Sequence, residues 1–421
     1  MLSREENELI TRVEGDAPAG RLMRRYWLPA LMSDEVVDPD GTPVRVRLVG
    51  QNLVAFRDSS GKLGMIDEAC PHRLASLALG RNEEGGVRCI YHGWKFDVAG
   101  RCFDMPTEPA GYNFQDRMNV RSYPVREGGG LVWTYLGPPE HEPPFPAFDW
   151  TTKRRDQLAL VKLIENTNYL QAAEGGIDTA HSWFLHRGVL QDWKHRSALS
   201  MDLSPRLEAE DTNYGFRYAA IRRTNQDPDK FKYIKVTNFV FPATVLVPRP
   251  LDPNVKPIVQ IFIPMDDTHT MHYSLFFSID DGPIDEQYIR EDLNWIPGVN
   301  LDEHYRLDTV EANGWKQDRA AMKDGSLYCG IKGFPRQDVA CQESMGPIVD
   351  RSLEHLGTSD IAIIRMRRRM LDNVRRVMNG LAPIGTDGSV DYPNLRSESR
   401  VIGIDEPWQQ IGGSAGEYVA R

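Results

Sequence analysis

Four residues constrain what this chain can fold into more than any others. They are Cys70 and His72 in Cys70-Pro71-His72, and Cys89 and His92 in Cys89-Ile90-Tyr91-His92. Each cluster offers one thiolate and one imidazole, so two separate loops must meet if they are to share a metal. Zinc accepts such a mixed donor set in a tetrahedral site. A [2Fe–2S] centre in which two histidines replace two cysteines on one iron accepts it too, at a reduction potential well above that of an all-thiolate cluster. Zinc pairs use the spacings C-x2-4-C and H-x3-5-H more often than an interleaved C-x-H and C-x2-H.

The flanking residues bear on that choice. Cys-Pro-His-Arg from position 70 and Tyr-His-Gly-Trp-Lys-Phe-Asp over 91–97 resemble the Rieske iron–sulfur signature. The resemblance implies a [2Fe–2S] cluster held by Cys70, His72, Cys89 and His92.

A second set of donors follows, in Asn168-Tyr-Leu-Gln-Ala-Ala-Glu-Gly-Gly-Ile-Asp178-Thr-Ala-His181-Ser-Trp-Phe-Leu-His186. His181 and His186 are five apart, about 140° around a regular helix, so they converge on one ion only if the helix ends or kinks between them. Asp178 and His181 are three apart and share a face. D-x2-H-x4-H after a Rieske signature resembles the mononuclear iron site of Rieske non-haem iron oxygenases, whose two-His, one-carboxylate triad leaves positions open for dioxygen. By the same resemblance Gly357-Thr-Ser-Asp360-Ile-Ala-Ile-Ile carries the carboxylate, which makes Asp360 the expected third ligand, with Asp350 and Glu354 as nearby rivals. Asp178 then takes the family's bridging role. It would join His181 to a Rieske histidine, His92, of a neighbouring subunit, as partners of metal-bound imidazoles fix tautomer and orientation.

The opening Leu-Ser-Arg-Glu-Glu-Asn-Glu-Leu-Ile-Thr-Arg-Val, Arg-Arg-Tyr-Trp-Leu-Pro-Ala at 24–30 and Gln342-Glu-Ser-Met-Gly-Pro-Ile-Val-Asp-Arg extend the resemblance to the phthalate dioxygenase-like group. That implies the oxygenase component of a ring-hydroxylating dioxygenase, a homotrimer or pair of trimers, reduced by an NADH-dependent flavin and iron–sulfur reductase. The implied reaction is cis-dihydroxylation of an aromatic carboxylate, phthalate-like or an aryl-ether benzoate. An O- or N-demethylating monooxygenase of the same architecture is the alternative, and a Rieske electron carrier without oxygenase activity a distant one. A carboxylate substrate needs a cationic anchor. Arg206, Arg217, Arg222 and Arg223 lie in or beside strands expected to line the pocket, and Arg206 and Arg222 are taken as candidates.

Bulk properties exclude other classes. A chain of 421 residues accommodates two or three cores, and 41% apolar with 26% charged residues is ordinary for a globular protein. A formal charge of −10 argues against nucleic acid. No apolar run approaches the roughly eighteen residues of a membrane span. The N-terminus has no signal-peptide h-region. An odd remainder of cysteines (Cys102, Cys329, Cys341), expected to be buried, suits a reducing cytoplasm.

The fold class expected is α+β. Residues 1–150 form an N-terminal all-β Rieske domain with an arm and a Pro-rich linker from Gly137, presenting two metal-binding loops. Residues 151–421 form the catalytic domain. There, strands over 213–224, 232–249, 256–265 and 268–279 make an antiparallel sheet packed by helices, a helix-grip-like arrangement by resemblance. A helical stretch is expected around Asp302–Lys323, between long loops, and a long helix from Ser359 to Asn379 with Gly380 at its C-cap. The arginines of 365–376 read as a solvated or salt-bridged face.

Overall fold

The computed structural model describes residues 2–109, 114–187, 200, 202–248, 251, 256–280 and 282–412. The period-two alternation of 42–57 becomes real pairing: β2 (Val44–Leu48), β3 (Gln51–Arg57) and β4 (Leu63–Asp67) form an antiparallel sheet, following β1 (Trp27–Met32). A four-stranded ladder of short strands comes next: β5 (Arg81–Glu83), β6 (Gly86–Arg88), β7 (Lys95–Phe96) and β8 (Cys102–Asp104). β9 (Val125–Gly128) and β10 (Leu131–Tyr135) complete a third sheet with β1. A core of its own, including Phe56, Ile66, Val87, Trp94 and Phe96, supports the ladder.

The C-terminal half is one antiparallel sheet of eight strands. In chain order they are β11 (Leu158–Glu165), β12 (Arg206–Asp211), β13 (Gly215–Arg223), β14 (Phe231–Val240), β15 (Thr244–Val247), β16 (Ile258–Pro264), β17 (Thr270–Phe277) and β18 (Glu398–Gly403). Their spatial order is β11-β17-β16-β15-β14-β13-β12, with β18 on the free half of β14. The expected strand over 232–249 divides into β14 and β15, and position 249 lies outside the described residues. β11 and β17 are buried along their whole length because both faces are covered. Leu158, Leu160 and Ile164 enter the main core, and Ala159, Val161 and Leu163 pack on Leu293, Trp295 and Val339.

Helices α1 (Arg4–Thr11) and α2 (Pro18–Met23) open the chain, and Ser3 caps α1 in a reciprocal box with Glu6. α3 (Tyr169–Ile177), α4 (Glu286–Leu293), α5 (Arg319–Asp324), α6 (Phe334–Ser344) and α7 (Ile361–Met378) follow. α7 buries Ala362, Met366, Met370 and Val374 at four-residue steps, the stripe of an amphipathic helix, and Gly380 follows it with φ 74°. α1 and α2 pack against α7, so the N-terminal arm is built into the C-terminal half. The helical stretch expected around Asp302–Lys323 is a 3₁₀ stretch at Glu311–Lys316 followed by α5, with no helix over 302–310, and the flanking segments expected as long loops hold α4 and α6.

The arginines of α7 are mostly paired. Arg367 meets Glu174 and Glu354, Arg365 and Arg369 meet Asp211, and Arg375 meets Glu6. Cys102 and Cys329 are buried, but Cys341 is exposed, because it falls on the outer face of α6.

Candidate metal centres

The loop before β5 and the turn between β6 and β7 carry the four Rieske-type donors. In the first, the backbone N–H of Cys70 donates to Ala75 and that of Leu74 to Cys70. In the second, the N–H of Cys89 donates to Trp94 and that of Gly93 to Cys89. Gly93 has φ 80°, and a Cβ there would lie 2.6 Å from Pro106 Cγ, so the turn needs glycine. The fold thus brings the loops together: the His72 and His92 rings lie 4.3 Å apart at their centroids, and Trp94 stacks on His72 at 4.4 Å.

Both thiols are buried, and burial pushes the Cys70 thiol up to about 12, with Cys89 close enough to add to the effect. A coordinated cation removes that proton outright. Burial, then His72 and Arg73, lower the His92 pKa, which favours the neutral imidazole that metals take. His92 Nδ1 is buried without a hydrogen-bond partner, an orphan that a cluster iron would satisfy. Among the described residues, no three of these four donors come within 4.8 Å of one another. A single zinc with bonds of about 2.0–2.3 Å would draw them closer than that. A binuclear cluster, with thiolates and imidazoles on separate irons, does not.

At the second centre α3 ends at Ile177, and a 3₁₀ turn at His181–Trp183 reorients the chain. That break gives the convergence which a continuous helix forbids. His181 Nε2 and His186 Nε2 lie 3.1 Å apart, and Asp338 Oδ1 lies 3.3 Å from the first and 3.1 Å from the second. Metal bonds of about 2.1 Å at right angles would separate neighbouring ligands by about 3.0 Å, so the triangle has the dimensions of one face of an octahedron.

The structure corrects the third member of this set. Asp360 is not in it; its Oδ2 accepts the Gly357 N–H at 2.7 Å and closes the turn into α7. Asp350 and Glu354 are engaged elsewhere, by Ser352 and Arg367. The carboxylate comes from Asp338, in the second turn of α6. The Gly333-Phe-Pro335 start of that helix was the available sign, since Pro is favoured in a first helical turn.

Two partners orient the imidazoles. His186 Nδ1 lies 2.7 Å from Gln337 Oε1, and Gln337 Nε2 donates to the Ile331 carbonyl at 2.7 Å. With the amide thus turned, His186 must donate from Nδ1, which leaves Nε2 for a metal. Asp178 Oδ2 lies 3.4 Å from His181 Nδ1. Burial opposes charge on His181, yet hydrogen bonds to Asp178 and Asp338 push its pKa up to about 10. Asp338 itself, raised by burial, is held far below the carboxylate range by His186 and His181. The site is built to hold positive charge.

The triad opens on a cavity of about 120 Å³ beneath α3. Gly176 roofs it so closely that a Cβ would lie 2.7 Å from Phe262. Of the arginine candidates, Arg206 is exposed and paired with Glu208. Arg222 is buried and donates to the Thr179 carbonyl at 3.3 Å, with Trp183 over its guanidinium, so it braces the metal-bearing segment and is not among the cavity's lining residues. Arg217 pairs with Glu210. Sequence reading missed Asp338, Gln337 and the cavity residues Lys235, Glu165 and His272.

Comparison with known proteins agrees with both centres. Residues 26–124 match the Rieske [2Fe-2S] domain model and residues 134–419 the LigXa C-terminal domain like model. The chain belongs to the Rieske non-haem iron oxygenases, terminal oxygenases of the aromatic dioxygenase type that carry a [2Fe–2S] cluster and a mononuclear iron. It is 43% identical to the phthalate 4,5-dioxygenase oxygenase subunit of Pseudomonas putida, over 97% of this chain and 94% of that one. It is 37% identical to the 3-chlorobenzoate-3,4-dioxygenase oxygenase subunit of Comamonas testosteroni, over 93% and 94%. It is also 32% identical to the 5,5'-dehydrodivanillate O-demethylase oxygenase subunit of a Sphingobium strain, over 98% and 92%. The terminal oxygenase of carbazole 1,9a-dioxygenase from Nocardioides aromaticivorans shares the fold, with a TM-score of 0.61 at 19% identity over 88% of this chain and 97% of that one.

Proposed function

We propose that this oxygenase cis-dihydroxylates an aromatic carboxylate, with electrons that originate from NADH and arrive through a partner reductase. The observation that carries the reading is the triangle of His181, His186 and Asp338 opening on a cavity walled in part by Tyr218, Val247, Ile258 and Phe262. The balance is one arene, one dioxygen, one NADH and one proton giving one cis-dihydrodiol and NAD⁺. When bound, the cluster at Cys70, His72, Cys89 and His92 supplies single electrons, and the iron at the triad supplies dioxygen chemistry.

The chain's own residues do the rest. His181, His186 and Asp338 occupy one face of the site and leave the opposite face to the cavity. Gln337 holds His186 in the Nε2-binding tautomer. Asp178 accepts from His181 Nδ1 and, as a carboxylate with a second oxygen, is suited to accept from His92 of a neighbouring subunit. Leu74, Ile90 and Tyr91 are exposed around the two Rieske loops, an apolar rim fit for burial against another subunit, which supports a homotrimer or pair of trimers. Among the described residues no helix is long and apolar enough to cross a membrane, and we assign the enzyme to the cytoplasm.

O-demethylation is the second reading, favoured by the relative of that activity that matches nearly the whole chain. Turnover of the iron-replete protein with NADH and a phthalate-dioxygenase-type reductase under labelled dioxygen separates the two. Aromatic carboxylates should give a dihydrodiol carrying both labelled atoms. Formaldehyde and a free phenol from an aryl methyl ether would replace that assignment with demethylation.

A further inference from the structure

The cavity over the triad has a cationic end and an acidic end. Lys235 lies on β14 and is 7% exposed; it is the one lysine or arginine among the residues described as lining the cavity. Its register neighbours are Ala220 on β13 and Ser399 on β18, small residues that leave room above the sheet for the long side chain. The opposite wall is formed by β11 and β17, beyond β15 and β16. There Glu165 is 1% exposed, and its Oε1 lies 2.7 Å from His272 Nδ1. Glu165 Oε2 is buried and has no hydrogen-bond partner among the described residues. Asp178 and Asp338 are the other carboxylates among the described lining residues, both beside the triad imidazoles, and Glu343 is near enough to act on Glu165 by its charge.

We infer that Lys235 is the anchor for an anionic ring substituent and that Glu165, held by His272, excludes anionic groups from the other end of the cavity. A carboxylate entering this cleft is drawn to Lys235 and disfavoured beside Glu165, which fixes which edge of the ring faces the triad. The substrate class is therefore narrower than aromatic carboxylates at large: rings whose anionic groups all lie on one side. Benzoate and a 1,2-dicarboxylate fit, whereas a 1,4-dicarboxylate places its second charge against Glu165. This inference rests on the carboxylate reading proposed above and deepens it.

The test is anaerobic equilibrium titration of the iron-replete enzyme with benzoate, benzamide, phthalate and terephthalate. The wild-type protein should bind benzoate and phthalate at least tenfold more tightly than benzamide or terephthalate. Lys235→Met should weaken benzoate about tenfold to a hundredfold, the range for losing a charged hydrogen-bond partner, and leave benzamide unchanged. Lys235→Arg should recover part of the loss, and Glu165→Gln should bring terephthalate to within a few-fold of benzoate. A wild-type enzyme that binds benzamide as tightly as benzoate overturns the anchor without any variant, as does a folded Lys235→Met that keeps its benzoate affinity. An undiminished terephthalate penalty in Glu165→Gln overturns the acidic gate. Turnover separates this inference from the proposed reaction. Conversion of benzoates by a Lys235→Met enzyme of unchanged affinity sinks the inference alone. Lys235-dependent binding with no oxygenated product sinks the reaction alone.

Discussion

Asp338 Oδ1 lies 3.1 Å from His186 Nε2, although 152 residues separate them, because α6 lays its second turn against the segment that follows α3. A half-buried carboxylate facing two imidazole nitrogens at ligand spacing has one economical use, the third bond to a metal. Asp338→Asn or Asp338→Ala should therefore lose the mononuclear iron and keep the cluster. Iron per chain should fall from about three to about two, with the visible absorbance of the cluster intact. Asp360→Asn should keep all of it, since Asp360 only closes a turn. Loss of iron in the Asp360 variant with retention in the Asp338 variant would restore the assignment read from sequence.

That exchange shows what was legible. Cys70, His72, Cys89 and His92 sit in turns whose geometry is written locally by Pro71, Gly93 and the short strands around them. His181 and His186 are close in sequence, and the required helix break was foreseeable from their spacing. Asp338 is different: nothing within ten residues of it binds the metal, and its role depends on how α6 docks across the sheet. Lys235 stands between Ile234 and Val236, Glu165 follows Ile164 and His272 lies between Met271 and Tyr273, so local pattern alone reads them as incidental. The sheet brings them to one cavity through register, a long-range property.

Gln337 should matter out of proportion to its distance from the metal. Gln337→Leu removes the acceptor that fixes the His186 tautomer and leaves Nδ1 buried with no partner. Iron affinity, read by chelator competition, should fall about tenfold to a hundredfold. Gln337→Glu should retain most of it, since a carboxylate still accepts from Nδ1. Equal affinity in the Leu variant would mean the amide only packs.

Asp178→Asn should leave both metals bound and slow turnover severely. The asparagine side-chain oxygen keeps the helix-ending bond from Ala180 N–H, 2.7 Å in the native chain, so the fold is spared. What is lost is the charge facing His181 Nδ1 and the second acceptor. Stopped-flow should show the cluster reduced at the normal rate and re-oxidised slowly in the presence of substrate and dioxygen. Normal turnover would remove Asp178 from the electron path.

Glu174 ties α3 to the rest of the protein. Arg351 donates to its Oε1 at 3.0 Å and to its Oε2 at 2.9 Å, and Arg367 to Oε1 at 2.6 Å, while Arg351 also reaches Asn7 in α1. Burial raises the Glu174 pKa, but the two guanidinium groups outweigh it and hold it below its ordinary value. A carboxylate lowered in the folded state contributes stability that is present above its unfolded pKa, about 4.3, and lost as pH falls through the lower folded value. Glu174→Gln leaves two buried cations under-compensated, which should cost about 3–5 kcal/mol at neutral pH. The guanidinium midpoint at pH 7 should drop accordingly. The native protein should lose stability as pH falls below about 4.3, and the variant should show a shallower acid limb. Parallel acid limbs with a lowered midpoint would assign the loss to packing and not to charge. Because α3 ends at Asp178, the same variant should also hold its mononuclear iron less tightly, while the cluster, seated on a separate core, keeps its absorbance.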